Sequence, residues 1–116
     1  MSMGSVARSN RGYIEFIIQR LSAIYMLLYV ISILTIIFIN EDLDFEIIQD
    51  LFALMPVRIF TLIFIISILS HSWIGMWTIA TDYIANLFIR NLYFIVVLAA
   101  LFFYLIWSIE IIWGFE

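Results

Sequence analysis

Hydrophobic residues occupy three long stretches of the chain, separated by short polar segments. Residues 13–39, 57–82 and 91–113 are each long enough for a helix to cross the roughly 30 Å hydrocarbon core of a bilayer. Within the second stretch, residues 59–81 contain no formally charged side chain. The pattern therefore predicts an all-α membrane protein with three transmembrane helices, preceded by a short polar tail of residues 1–12.

The segment between the first two spans, residues 40–55, combines acidic side chains with a series of apolar ones. The apolar positions recur every three or four residues, opposite the acids: Ile47, Ile48, Leu51, Phe52 and Met55. This spacing predicts a short amphipathic helix in the first loop, lying at the membrane surface with its acids as a solvated face. Pro56 suits the first turn of the next helix.

Composition agrees with a membrane location. Of the 116 residues, 66% are hydrophobic and 12% are charged, with a mean hydropathy of +1.18, whereas soluble domains are about 25% charged. No internal repeat is visible, so residues 1–116 form one membrane domain. The absence of cysteine excludes disulfides and iron–sulfur ligation by this chain. Five dispersed arginines and no lysine exclude a nucleic-acid-binding surface.

The placement of arginine predicts how the chain is oriented. Arg8, Arg11, Arg20 and Arg90 lie on the side of the N-terminus, and Arg58 alone lies on the opposite side. Because positive side chains accumulate on the cytoplasmic side of membrane proteins, we expect a cytoplasmic N-terminus. Three spans then place the C-terminus in the periplasm.

The second span carries the chain's single histidine, His71, at a depth where ionisable groups are costly and usually functional. On a helix, His71 shares one face with four small or polar residues: Ser67, Gly75, Thr78 and Asp82. We call these five positions the His71 stripe. Asp82 follows His71 by eleven residues, or about 16 Å along the helix axis. The stripe thus joins a potential metal ligand to a carboxylate near the end of the span.

A single membrane histidine is compatible with three roles: a hydrogen-bonded packing residue, a proton relay or an axial ligand to haem iron. Ser67 or Ser70 could satisfy the ring in the packing role. Gly75 lies one turn away, where a bare backbone leaves room for a flat macrocycle, although small residues also allow close helix packing. A bis-histidine haem would need its second imidazole from another chain.

Two further groups carry candidate chemistry. At the end of the second span, the phenol of Tyr83 can donate a hydrogen bond to a carbonyl oxygen, and with the Asp82 carboxylate beside it can pass protons from the aqueous side; the alternative is a polar helix end with an interfacial tyrosine. Arg20 lies deeper in the first span than interfacial anchoring needs. Its guanidinium either extends back to the lipid headgroups or binds an anionic group between helices.

Residues 71–83, HSWIGMWTIATDY, resemble the H-x-W-x-G-x-W…D-Y signature of the small membrane anchor subunit of bacterial succinate dehydrogenase. Seven positions carry this resemblance: His71, Trp73, Gly75, Trp77, Thr81, Asp82 and Tyr83. The remaining chain is similar to the family in its basic tail, its arginine early in the first span and its final helix ending in Trp-Gly.

The resemblance implies the smaller of two cytochrome b anchor chains, each with three helices, which share one haem b. His71 would be the axial ligand from this chain, with Gly75 in the haem pocket and Arg20 near the haem propionates. Tyr83 would hydrogen-bond a ubiquinone carbonyl, with Asp82 beside it. The second, larger cytochrome b anchor chain would supply the other histidine.

The resemblance also implies partners at the cytoplasmic face of the bacterial inner membrane. A flavoprotein subunit with FAD and an iron–sulfur subunit would oxidise succinate and pass electrons to quinone, in a heterotetramer that stands alone or forms trimers. The chain itself would not be catalytic. Two alternatives are a haem-free anchor of a fumarate reductase-like complex and a small transporter or proton-conducting subunit. The latter usually has an acid in mid-membrane, whereas every acid here lies near a span end.

Overall fold

A computed structural model describes the backbone of residues 3–114 and the side chains of residues 12–114. This part of the chain contains four α-helices and no strand: α1 (Met3–Ile39), α2 (Phe45–Ala53), α3 (Met55–Tyr83) and α4 (Leu87–Trp113). Three of them contain segments long and apolar enough to cross a membrane: Gly12–Ile39, Met55–Tyr83 and Leu87–Trp113. The predicted all-α membrane protein with three spans is confirmed.

The three long helices are arranged around α3. Helices α1 and α4 each pack along α3 but contact one another little, and α2 packs on α3. Few side chains are buried as a result, and many large apolar side chains on the long helices are exposed. Such an open arrangement leaves extensive apolar surface for lipid or for other membrane chains.

Polar contacts hold α1 against α3. The Tyr25 hydroxyl donates a 2.7 Å hydrogen bond to the Phe60 carbonyl oxygen. The Thr61 hydroxyl donates to the carbonyl oxygen of Val57, so it accepts the 2.7 Å hydrogen bond from Tyr29. The Tyr29 ring also stacks on Phe64 at 4.2 Å between centroids. Hydrogen bonds and close packing replace the hydrophobic effect as the source of helix association in lipid.

The loop after α1 contains the predicted amphipathic helix, α2. The Asp44 carboxylate accepts a 2.9 Å hydrogen bond from the Ile47 backbone N–H and thereby caps its N-terminus. Glu46 and Asp50 are exposed, as expected for a solvated face. Met55 does not continue the apolar series of α2 as predicted: it begins α3, because Leu54 is extended and ends α2.

Arg58 links the ends of three helices. The sequence placed Arg58 only on the side of the membrane opposite the N-terminus and did not predict its burial, yet its side chain is 3% exposed. Its Nε donates a 2.6 Å hydrogen bond to the Phe52 carbonyl oxygen in the last turn of α2, and its guanidinium lies 5.7 Å from the centre of the Trp113 ring in α4. A cation at a helix C-terminus satisfies a carbonyl that has no partner within that helix.

The third span begins earlier than predicted. The sequence predicts a turn over residues 82–91 and a third span from about Asn91, but α4 starts at Leu87. The Asn86 side chain accepts hydrogen bonds from the backbone N–H groups of Phe88 and Ile89 and caps the helix. Arg90 is therefore helical, and its N–H donates to the Asn86 carbonyl oxygen at 2.9 Å. The polar residues Arg90 and Asn91 belong to the start of α4 because the capping residue, Asn86, precedes them.

The first helix also extends beyond the predicted span. Its backbone is helical from Met3, through most of the segment predicted as a polar tail, rather than from residue 13. The side chains of Arg8 and Arg11, on which the predicted orientation partly rests, lie outside the described residues. The orientation of the chain in the membrane therefore stays a prediction.

Candidate functional site

His71 lies in the second half of α3 and faces α1. Its ring is half-buried, and Nδ1 lies 3.4 Å from the Oγ of Ser22, a buried residue of α1. The serine hydroxyls predicted to satisfy the ring lie on α3 itself, but that of Ser67 donates to the Ile63 carbonyl oxygen at 2.8 Å. The ring is therefore fixed from the neighbouring helix, while Nε2 makes no hydrogen bond with any described residue.

Gly75 leaves an open surface one turn beyond His71. Apart from α3's own nearby backbone and the two chain neighbours, no described atom lies within 4 Å of the position that a Cβ would occupy. Neither α1 nor α4 uses this glycine for close packing, so the bare backbone does not serve the helix contacts of this chain. The space remains for a group from outside the chain.

These features fit a flat group coordinated by His71. One ring nitrogen has a partner, the other has none among the described residues, and the adjacent helix surface is bare. Residues 12–114 contain no cluster of three His, Asp or Glu side chains that could surround a metal ion. Because its Nε2 has no partner among the described residues, His71 can contribute one coordination position, as an axial haem ligand does.

Asp82 and Tyr83 lie in the last turn of α3. Both are exposed, and the Tyr83 side chain is 83% exposed. The Tyr83 hydroxyl makes no hydrogen bond with another described residue. Asp82 lies on the same side of α3 as His71, within about 20° around the axis. The phenol and the carboxylate are therefore both available to a ligand or partner at the end of this span.

Arg20 is separate from the His71 stripe. Its side chain is exposed, and its guanidinium lies 5.0 Å from the centre of the Phe16 ring on the same helix. Arg20 precedes Ser22 by two residues, so the two side chains leave α1 in directions about 200° apart around the helix axis. The structure therefore does not bring Arg20 together with His71, and its predicted contact with haem propionates stays a prediction.

Ser22 is the site residue that the sequence did not reveal. It looks like any small polar residue in an apolar span, and its position opposite His71 depends on the register of α1 against α3. The available signal was chemical: serines in membrane helices often form hydrogen bonds between helices. Because Ser22 precedes His71 by 49 residues, their contact is visible only once the two helices are packed.

Comparison with known proteins identifies the family of the chain. No protein-family model matches the chain. The chain is 38% identical over 105 residues to the succinate dehydrogenase hydrophobic membrane anchor subunit of Coxiella burnetii, and the match covers 90% of this chain and 91% of that protein. Identity at this level over nearly the whole of both chains confirms the resemblance carried by residues 71–83. This chain belongs to the family of succinate dehydrogenase hydrophobic membrane anchor subunits.

Proposed function

We propose that this chain contributes one half of a haem b site to succinate dehydrogenase in the bacterial inner membrane, with His71 as its axial ligand. The observation that carries the proposal is the combination of an Nε2 that has no hydrogen-bond partner among the described residues with the open surface at Gly75. Because His71 is the only histidine in the sequence, the opposite ligand would come from a second cytochrome b anchor chain.

His71 and Gly75 have different tasks in this proposal. The imidazole offers a lone pair from a ring whose orientation is fixed by α1, and the glycine keeps the adjacent surface of α3 free of side-chain atoms. Bound haem would supply a one-electron carrier inside the membrane. His71 and Gly75 would hold the haem, and the residues of this chain would take no part in succinate oxidation.

We further propose that Tyr83 and Asp82 form part of a ubiquinone site. The phenol hydroxyl can donate a hydrogen bond to a quinone carbonyl oxygen, and the adjacent carboxylate can take up protons from the aqueous phase. Their exposure at the end of α3 supports this role. The flavoprotein and iron–sulfur subunits would dock on the same, cytoplasmic side and deliver electrons from succinate through FAD and the clusters.

The haem assignment is tested in the complete complex purified from cells. His71→Ala should abolish the low-spin bis-histidine haem spectrum, because this chain has no second histidine to replace the imidazole. An unchanged bis-histidine spectrum in this variant would contradict the assignment.

The quinone assignment is tested with Tyr83→Phe, which removes one hydroxyl. Quinone reduction should fall, while succinate oxidation with a soluble artificial acceptor stays at the wild-type rate. Tyr13→Phe provides the control, because Tyr13 is also exposed, at the start of the first span, and has no proposed role. An equal loss of both activities in Tyr83→Phe would indicate a defect of assembly, and unchanged quinone reduction would exclude the phenol from the site.

A further inference from the structure

We propose that Ser22 is a positioning residue for His71: it fixes the imidazole in the tautomer that keeps Nε2 unprotonated and directed away from α1. The inference rests on the proposed haem function for its consequence, but the hydrogen bond that carries it lies entirely within this chain. It concerns a residue outside the H-x-W-x-G-x-W…D-Y signature, on a different helix.

The proton of the Ser22 hydroxyl decides the tautomer. Ser22 Oγ donates to the Gln19 carbonyl oxygen at 3.1 Å, one turn earlier in α1. A hydroxyl has one proton, so Oγ is left with acceptor capacity towards His71 Nδ1, 3.4 Å away. Nδ1 must then carry the ring proton. In a neutral imidazole the other nitrogen, Nε2, is consequently unprotonated, which is the form that binds iron.

Burial makes this arrangement specific. Ser22 is 7% exposed and lies inside a membrane span, where water is not available to take its place. Ser67, on the same helix as His71, uses its hydroxyl within α3. Ser22 is the one described side chain that hydrogen-bonds the ring. A metal-bound histidine that donates its second N–H to an acceptor is a more basic and better oriented ligand.

Ser22→Ala removes the acceptor and leaves the Nδ1 proton without a partner. The ligand becomes less basic and stabilises ferric iron less, so the haem midpoint potential should shift to a more positive value. Haem affinity should fall by about 10- to 100-fold, as for other residues that orient metal ligands. The rate of haem transfer to apomyoglobin measures the affinity, and redox titration of the purified complex measures the potential.

Ser32→Ala is the matched control. Ser32 lies on α1, and its hydroxyl donates only to the Leu28 carbonyl oxygen of the same helix, at 2.8 Å. This variant loses a serine hydroxyl and a local hydrogen bond without affecting His71. Its haem potential and haem transfer rate should equal those of the wild type.

The outcomes separate this inference from the proposed function. If His71→Ala keeps the bis-histidine spectrum, the haem assignment itself fails. If His71→Ala loses that spectrum while Ser22→Ala keeps the wild-type potential and haem transfer rate, only the role of Ser22 is overturned.

If the Ser22→Ala complex fails to assemble, Ser22→Cys is used instead, because a cysteine has nearly the same size as serine and its sulfur is only a weak acceptor. A more positive potential in Ser22→Cys, with Ser22→Thr near wild type, supports the role, and an unchanged potential in Ser22→Cys refutes it.

Discussion

Replacing Gly75 separates the requirements of the helix from those of a bound group. In the isolated chain nothing opposes a side chain at this position, because no other described part of the protein lies within 4 Å of the added Cβ. Gly75→Ala should make α3 more stable by about 0.5–1 kcal/mol, since alanine loses less backbone entropy than glycine in a helix. If only the contacts within this chain are considered, glycine at position 75 lowers the stability of α3.

If a group from outside the chain occupies the surface at Gly75, a side chain at this position should instead be unfavourable. Gly75→Leu adds four carbon atoms beside the His71 ring, and overpacking of this kind costs about 1–3 kcal/mol. That free energy corresponds to a loss of haem affinity of roughly 5- to 140-fold. We therefore expect Gly75→Leu to lower the haem content of the complex, with a smaller loss in Gly75→Ala.

The assay is the ratio of haem to flavin in the purified complex, which reports haem per assembled unit rather than per cell. Gly12→Leu is the control, because the corresponding position at the start of the first span is equally open and lies far from His71 along the chain. It should keep a full complement of haem. A wild-type haem-to-flavin ratio in Gly75→Leu would refute the reasoning. Loss of whole complexes at an unchanged ratio would instead assign Gly75 to packing against a partner helix.

Three further changes test the packing that surrounds the site, each read from the thermal unfolding of the purified complex. Asn86→Ala removes the cap of α4 and should cost about 1 kcal/mol, whereas Asn86→Asp should cost little. Tyr29→Phe loses a hydrogen bond but keeps the stack on Phe64, so a loss of about 0.6 kcal/mol is expected. Arg58→Met leaves the Phe52 carbonyl without its donor and should cost about 1–3 kcal/mol; an unchanged midpoint would show that Arg58 does not hold α2 in place.

Much of the fold could be predicted because a membrane imposes a simple rule. Backbone groups in hydrocarbon must be satisfied within a helix, so long apolar runs identify the spans directly. The rule weakens at the ends of the spans, where the predicted starts of α1 and α4 were wrong. Arg90 and Asn91 look like a loop by polarity, yet they follow the Asn86 cap and belong to α4. The geometry of the cap, and not hydropathy, determines where that helix begins.

The candidate site was predictable only along α3. The spacing of His71, Gly75 and Asp82 follows from helical periodicity, and the helix confirms it. The partner of the ring depends on how α1 packs against α3, and the sequence pointed to a serine on the wrong helix. The burial of Arg58 escaped prediction for the same reason, because α2 and α4 must both be in place to enclose it. To predict which residues of two helices touch, one must know how the helices are aligned along each other, and the periodicity of each helix alone does not give that alignment.

The most direct measurement of the central claim is an imidazole rescue of His71→Gly in the complete complex, followed by electron paramagnetic resonance of the ferric haem. Removal of the side chain should abolish the low-spin bis-imidazole signal, and added free imidazole should restore it by occupying the vacated position. A low-spin bis-imidazole signal in His71→Gly before imidazole is added would contradict the account, because the iron would then take its ligand from elsewhere.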